Sequence, residues 1–214
     1  MHWIKKHSDR TMILLLYSFF ATGIAGHIYT PTRDLMLQLT PFTLLLTGLF
    51  VLFYSFRDNK RIFAFVAVTW TITFFVEVLG VKTGAVFGQY RYGNSLGLQI
   101  MDVPLIIGLN WVILIMASCD FIMQYEDRIF MGAVFAGIMT VCLDLFIEPV
   151  AIRLDYWHWS SGMPPMKNYA AWFIITFIIA LVYQKLQYRS QSSILKHYFL
   201  VQLIFFMTIY IALA

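Results

Sequence analysis

Seven long apolar runs divide this chain, and their length leaves little choice of fold. A helix that crosses a membrane needs about 20 predominantly apolar residues. Runs of this kind fall at residues 11–28, 41–56, 62–80, 103–123, 129–152, 169–186 and 195–213, the second being the shortest. Of the 214 residues, 60% are hydrophobic and 12% charged, against roughly 25% charged in a soluble domain. The reading is an all-α, polytopic membrane helical bundle of about seven transmembrane helices, forming a single integral membrane domain over residues 1–214. Lys5, Lys6 and Arg10 precede the first run as they would in a signal peptide, but the run is long for one and leads straight into further segments. It is read as an uncleaved first helix.

The basic residues predict orientation, because Lys and Arg favour the cytoplasmic side. Lys5, Lys6, Arg10, Arg57, Lys60, Arg61, Arg128, Lys185, Arg189 and Lys196 fall on one side, and Arg33, Lys82, Arg91, Arg153 and Lys167 on the other. That places the N-terminus inside and the C-terminus outside a cell membrane crossed several times. The inside loops are short. The outside loops are longer, carry Gly, Trp, Tyr, Asp and Asn, and are where function is expected. The net charge of +4 reflects this topology; no Lys/Arg-rich run is present to bind nucleic acid.

The acids inside apolar runs carry the chemical argument. A carboxylate in a membrane helix is costly unless something uses it. Asp144 and Glu148 lie four residues apart, on one helix face, and Pro149 follows, removing the hydrogen bond to the Leu145 carbonyl and favouring a kink. Two close carboxylates cannot both ionise cheaply in a low dielectric, and one kept protonated is a proton donor. The structural alternative is a pair bridged to Arg153 or to backbone. Glu77, near the outer end of the third run, either pairs with Lys82, faces interfacial water or takes part in chemistry. Asp102, before Val103-Pro104, suits the cap of the fourth helix, with Pro104 in its first turn. Asp155 is placed to orient His158 or to pair with Arg153. Asp120, near the inside end of the fourth run, lies away from this group. Asp34 beside Arg33 reads as a surface pair.

Around the acids sit aromatic and amide side chains. Tyr90, Tyr92, Trp157 and Trp159 alternate with other residues. They suit an interfacial belt or a wall of π-faces against a developing cation. Asn110 and Asn168, near helix starts, suit interhelix hydrogen bonds or the positioning of water. Gly84, Gly88, Gly93, Gly97 and Gly162 supply loop turns. A weak internal echo runs through the middle of the chain. Glu77, the loop Phe87-Gly-Gln-Tyr-Arg-Tyr-Gly93, then Asn110-Trp111 resembles Glu148, the loop Tyr156-Trp-His-Trp159, then Asn168 and Trp172. Both units cross the membrane in the same direction, which would bring both acids to one face.

Several functions are argued against. His27 and His158 form no ligand spacing with Cys119 and Cys142, so no metal site and no disulfide framework is expected. Glycine-rich nucleotide motifs and Asp-rich diphosphate motifs are missing, and no Lys sits mid-helix in the seventh run, which argues against a retinal protein.

At these residues the chain resembles the membrane-embedded carotenoid biosynthesis proteins of the γ-carotene and bisanhydrobacterioruberin hydratase type. The resemblance rests on Phe75-Val-Glu77-Val-Leu-Gly80-Val-Lys-Thr-Gly84, the Phe87–Gly93 loop, Asp102-Val-Pro-Leu, Gly108-Leu-Asn110-Trp111, the stretch from Asp144 to Trp159, and Asn168-Tyr-Ala-Ala-Trp172. It implies a lyase adding water across the terminal C1–C2 double bond of an acyclic carotenoid end group, such as that of γ-carotene or lycopene. It assigns no catalytic residues, so roles come from chemistry. On this reading Asp144 and Glu148 donate a proton, Glu77 or Asp102 orients water, and Asp155 is counted with them among the catalytic candidates. Tyr90, Tyr92, Trp157 and Trp159 shield the cation, with Asn110, Trp111, Asn168 and Trp172 beside the substrate. No cofactor is required. Membrane lipid is the other expected partner. Two rivals stand: a cofactor-free carotenoid cyclase or isomerase, and a non-enzymatic carotenoid or lipid carrier.

Overall fold

The computed structural model describes the backbone of residues 2–57, 59 and 61–213, and the side chains among them from residue 9 onward. Lys60 and the side chains of Lys5 and Lys6, used in the charge argument, lie outside the described residues. The described residues form seven helices: α1 (His2–Ile28), α2 (Thr30–Phe56), α3 (Arg61–Thr83), α4 (Leu105–Ile122), α5 (Ile129–Arg153), α6 (Met166–Lys185) and α7 (Ile194–Ala212). All seven are long and apolar enough to cross a membrane. Four short strands, β1 (Tyr90–Tyr92), β2 (Gln99–Ile100), β3 (Val103–Pro104) and β4 (Trp157–Trp159), lie in the connections at one end of the bundle.

The centre of the bundle is α4. Of its 18 residues, 14 are buried, and it packs on α2, α3, α5, α6 and α7. These five helices bury one face on it, α1 packs on α2 and α7, and large apolar side chains turn outward, among them Phe42, Leu46, Val68, Ile174 and Ile211. Such an apolar exterior suits lipid, where the only stable backbone is one whose hydrogen bonds are closed internally.

One boundary differs markedly from the sequence reading. The second helix begins at Thr30, not Pro41, with Pro31 in its first turn. It runs 27 residues straight through Pro41, where the Thr40 hydroxyl bonds the Met36 carbonyl. The connection from α1 is therefore a single residue, Tyr29. Arg33 is no partner of Asp34: its Nε donates to the His27 carbonyl at 2.9 Å, satisfying the open end of α1. The helix α5 likewise continues through Pro149 to Arg153.

The strands form two small antiparallel ladders. In β2–β3, Gln99 faces Pro104 and Ile100 faces Val103. The tight turn between them is Met101-Asp102, both at positive φ (54° and 67°), a conformation Asp tolerates better than most residues. Asp102 is thus a turn residue and not the cap of α4, which follows Pro104 with no side-chain cap. In β1–β4, Tyr90 faces Trp159, Arg91 faces His158 and Tyr92 faces Trp157. This ladder ties the loop after α3 to the loop after α5.

Candidate active site

Side chains alternate across a strand, so the two tyrosines of β1 share one face, as do the two tryptophans of β4. Both faces turn inward onto buried carboxylates. The Tyr92 hydroxyl donates to Glu77 Oε2 at 2.7 Å, and the Tyr90 hydroxyl donates to the same oxygen. Trp111 Nε1, from α4, donates to Oε1 at 2.7 Å. Across the ladder, Trp157 Nε1 and Trp159 Nε1 donate to Glu148 Oε2 at 3.0 and 2.7 Å, and Asn168 Nδ2 donates to Oε1 at 2.9 Å. Each glutamate therefore accepts three donors: two from the strand that follows its own helix and one from the next helix. An indole N–H only donates, so the tryptophans commit these oxygens as acceptors.

The echo in the sequence is matched in the strand donors to each glutamate, with β1 and β4 antiparallel where the two units meet, though the third donor is Trp111 in one and Asn168 in the other. Its symmetry breaks one turn back along the helices. Four residues before Glu148 is Asp144; four before Glu77 is Thr73, whose hydroxyl bonds the Thr69 carbonyl at 2.9 Å. Asp144 is fully buried. Its Oδ2 accepts from Asn168 Nδ2 at 2.9 Å, while Oδ1 has no partner. Asn168 so spans the two carboxyl groups with one amide nitrogen. The bridge to Arg153 considered from sequence does not form; that guanidinium lies over the Tyr210 ring, 5.9 Å from its centroid.

Glu77, Glu148, both strands' aromatics, Asn110, Trp111, Asn168 and Trp172 line one small cavity of about 40 Å³. At roughly 10–15 Å³ per water, it holds a few waters at most. Trp111 and Trp172 stack over it with centroids 3.8 Å apart. The burial of Tyr90 and Tyr92 beside the Glu77 carboxylate pushes both phenols well above their ordinary range, so both remain donors. Close packing at Gly80 makes this possible, since a Cβ there would sit 2.6 Å from the Phe87 ring and 3.1 Å from the Tyr90 hydroxyl.

Asp144 lies behind the cavity, bonded to Asn168 but not part of the lining, and two further candidate acids do not join the group. Asp102 is exposed and pairs with Lys82, so Lys82 is not the partner of Glu77. Asp155 bonds His158 Nε2 at 2.6 Å on the exposed face of the loop. Three lining residues were not singled out from sequence: Phe87, Ile107 and Ile147. Nothing distinguishes them from ordinary core side chains except their place beside the acids. Gln202 was also missed. It donates to Asn110 Oδ1 at 3.3 Å and is legible in retrospect as an amide within an apolar run. Among the described residues, no three His, Cys, Asp or Glu side chains are placed to hold a metal ion.

Fold and site together define a polytopic membrane protein with a buried carboxylate cavity at one end of its bundle. The chain belongs to the carotenoid biosynthesis protein family, whose profile matches residues 39–214. It is similar to the bisanhydrobacterioruberin hydratase of Haloarcula japonica, at 26% identity over 138 residues, covering 59% of this chain and 45% of that protein. The matched region thus spans about half the length of that relative. No solved structure matches the chain.

Proposed function

We propose that the protein is a carotenoid hydratase of the cell membrane, with its N-terminus inside and its carboxylate end facing out. It would add water to the terminal C1–C2 double bond of an acyclic end group, as in γ-carotene or lycopene. The observation that carries the reading is a water-sized cavity bounded by buried acids and electron-rich rings.

An alkene accepts a proton only from a positioned acid, and the proton goes to C2 because that leaves the more stable tertiary cation at C1. The Asp144/Glu148 pair is the proton source: Glu148 lines the cavity, and Asn168 links it to the buried Asp144, whose Oδ1 is uncommitted. The π-faces of Trp157, Trp159, Tyr90 and Tyr92 stabilise the cation. Water then bonds through oxygen to C1 and loses a proton to Glu77, giving a tertiary alcohol. Return of that proton through water to the Asp144/Glu148 pair restores the starting state, so one water is consumed and no electrons are transferred. Admission of the end group requires lining side chains to move, because the cavity as it stands has room for the water alone.

Expression in a bacterium that accumulates lycopene or γ-carotene, followed by mass analysis of the pigment, tests this. A gain of one water per acyclic end is expected. Unchanged mass with altered absorption would instead establish a cyclase or isomerase. Pigment that copurifies unaltered, and still does so after acid-to-amide changes, would establish a carrier.

A further inference from the structure

A second pocket, of about 230 Å³, opens between α1, α2 and α7 at the same end of the bundle. Its walls are mostly apolar, with Leu39, Phe205 and Phe206 among them, yet His27, Tyr156 and Gln202 also line it. His27 is 4% exposed. Its Nδ1 lies 2.7 Å from the Gly23 carbonyl, which can only accept, so Nδ1 carries the hydrogen and Nε2 the lone pair. That Nε2 is buried and has no partner. Arg33, the nearby cation, is turned to the carbonyls of His27 and Ile28. The edge-on ring of Phe205, 5.3 Å away, covers one side of the imidazole. A neutral imidazole with an open lone pair in an apolar pocket suits a neutral O–H donor on a greasy molecule, not an anion.

Gln202 connects this pocket to the acid cavity. Its Nε2 donates to Asn110 Oδ1 and, at 3.1 Å, to the Tyr198 hydroxyl. Asn110 lines the acid cavity and Gln202 the second pocket, so a pair of amides stands between them.

We propose that this pocket binds the hydroxyl-bearing end of an isoprenoid chain, with its O–H donating to His27 Nε2 and its methyl groups against Phe205 and Phe206. The source of the alcohol rests on the hydratase reading: the tertiary alcohol formed among the acids passes the Asn110–Gln202 pair and is held here before release.

The test uses the full chain in lipid nanodiscs with ¹⁵N-labelled histidine. The probes are dihydromyrcenol, a ten-carbon tertiary alcohol, and dihydromyrcene, the alkene that gives it on adding water. The alcohol is expected to bind about tenfold more tightly, the ratio expected when one otherwise open acceptor is satisfied. It should also move the Nε2 resonance that disappears in His27→Phe, whereas the alkene should not. In His27→Phe the preference should fall to less than about twofold on the same grounds. Equal binding of the two probes with no moved resonance in the unaltered protein overturns the proposal without recourse to any variant. So does a preference that survives His27→Phe. Displacement of the alcohol by a diacylglycerol at equal concentration would assign the pocket to a lipid hydroxyl and overturn the product assignment. Pigment mass reads hydration separately: alcohol selectivity without hydration sinks the hydratase reading, and with it the product as the source of the alcohol, while the hydroxyl pocket stands; hydration without selectivity sinks only the pocket.

Discussion

Tyr90 lies directly opposite Trp159 in the β1–β4 ladder, with ring centroids 5.0 Å apart, yet the two donate to different glutamates, Glu77 and Glu148. The ladder therefore fixes the spacing of the two carboxylate nests. Each loop depends on the other for its position, so a change in one nest is expected to be felt in the other.

Glu77→Gln keeps the shape of the side chain while removing its capacity to take a proton. General-base contributions run to roughly 10²–10⁴-fold. Hydration should fall by at least about a hundredfold on that basis, with pigment still copurifying. Pigment mass after timed expression reads the outcome, and near-normal conversion would remove Glu77 from the mechanism.

Asn168→Leu removes the amide that spans Asp144 and Glu148 and leaves buried oxygens without a donor. Each unsatisfied group costs about 1–3 kcal/mol, so the melting temperature in detergent should fall by several degrees and hydration should be lost. Asn168→Gln, which keeps the amide at a displaced position, should recover part of the thermal stability and little of the activity.

Gly80→Ala sets a methyl group against Phe87 and the Tyr90 hydroxyl. Overpacking of this kind costs about 1–3 kcal/mol. A lowered melting temperature is expected together with a loss of activity, because Tyr90 is pushed from Glu77. An unaltered melt would mean the loop after α3 yields freely.

Asp102→Asn breaks only an exposed ion pair; the side chains of Lys82 and Asp102 are 52% and 71% exposed. Such pairs are worth about 0–1 kcal/mol. Thermal melts should not change measurably and hydration should continue. Loss of hydration would bring Asp102 back among the reacting groups.

Tyr90 and Tyr92 give a pH dependence of definite sign. Their phenols are raised by burial and by Glu77, so the folded protein holds their protons more tightly than the unfolded chain. Their contribution to stability is complete below the unfolded value of about 10 and is lost as pH rises from there through the folded values. Ultraviolet titration should show tyrosinate from these two residues only as the fold gives way, and Tyr90→Phe with Tyr92→Phe should flatten that part of the alkaline stability profile.

The acids and their aromatic donors were legible in the sequence for physical reasons. Glu77, Asp144 and Glu148 stand out because charge in an apolar run is expensive, and Tyr90, Tyr92, Trp157 and Trp159 because aromatic rings alternate with other residues beside those acids; that this alternation belongs to two strands was not read. What could not be read was the pairing of β1 with β4, since nothing local in Tyr-Arg-Tyr specifies Trp-His-Trp some 65 residues on. Asp102 misled because an acid before Val-Pro reads as a cap; the backbone instead uses it in a turn at positive φ. The start of α2 was misplaced because Pro41 resembles a first-turn proline, whereas in a bundle the neighbouring helices tolerate it within the span.

The contrast between Thr73 and Asp144 bears on how such a site arises. Two units crossing in the same direction can be produced by copying one unit in tandem, with no inversion of its insertion. A self-associating pair of identical units would carry the same side chain at both positions, and so either two extra acids or none. A single chain carrying both units is free to keep an acid on one side and a neutral hydroxyl on the other. The two nests therefore differ in the number of carboxyl groups they hold, a difference open to one chain and closed to a pair of identical units.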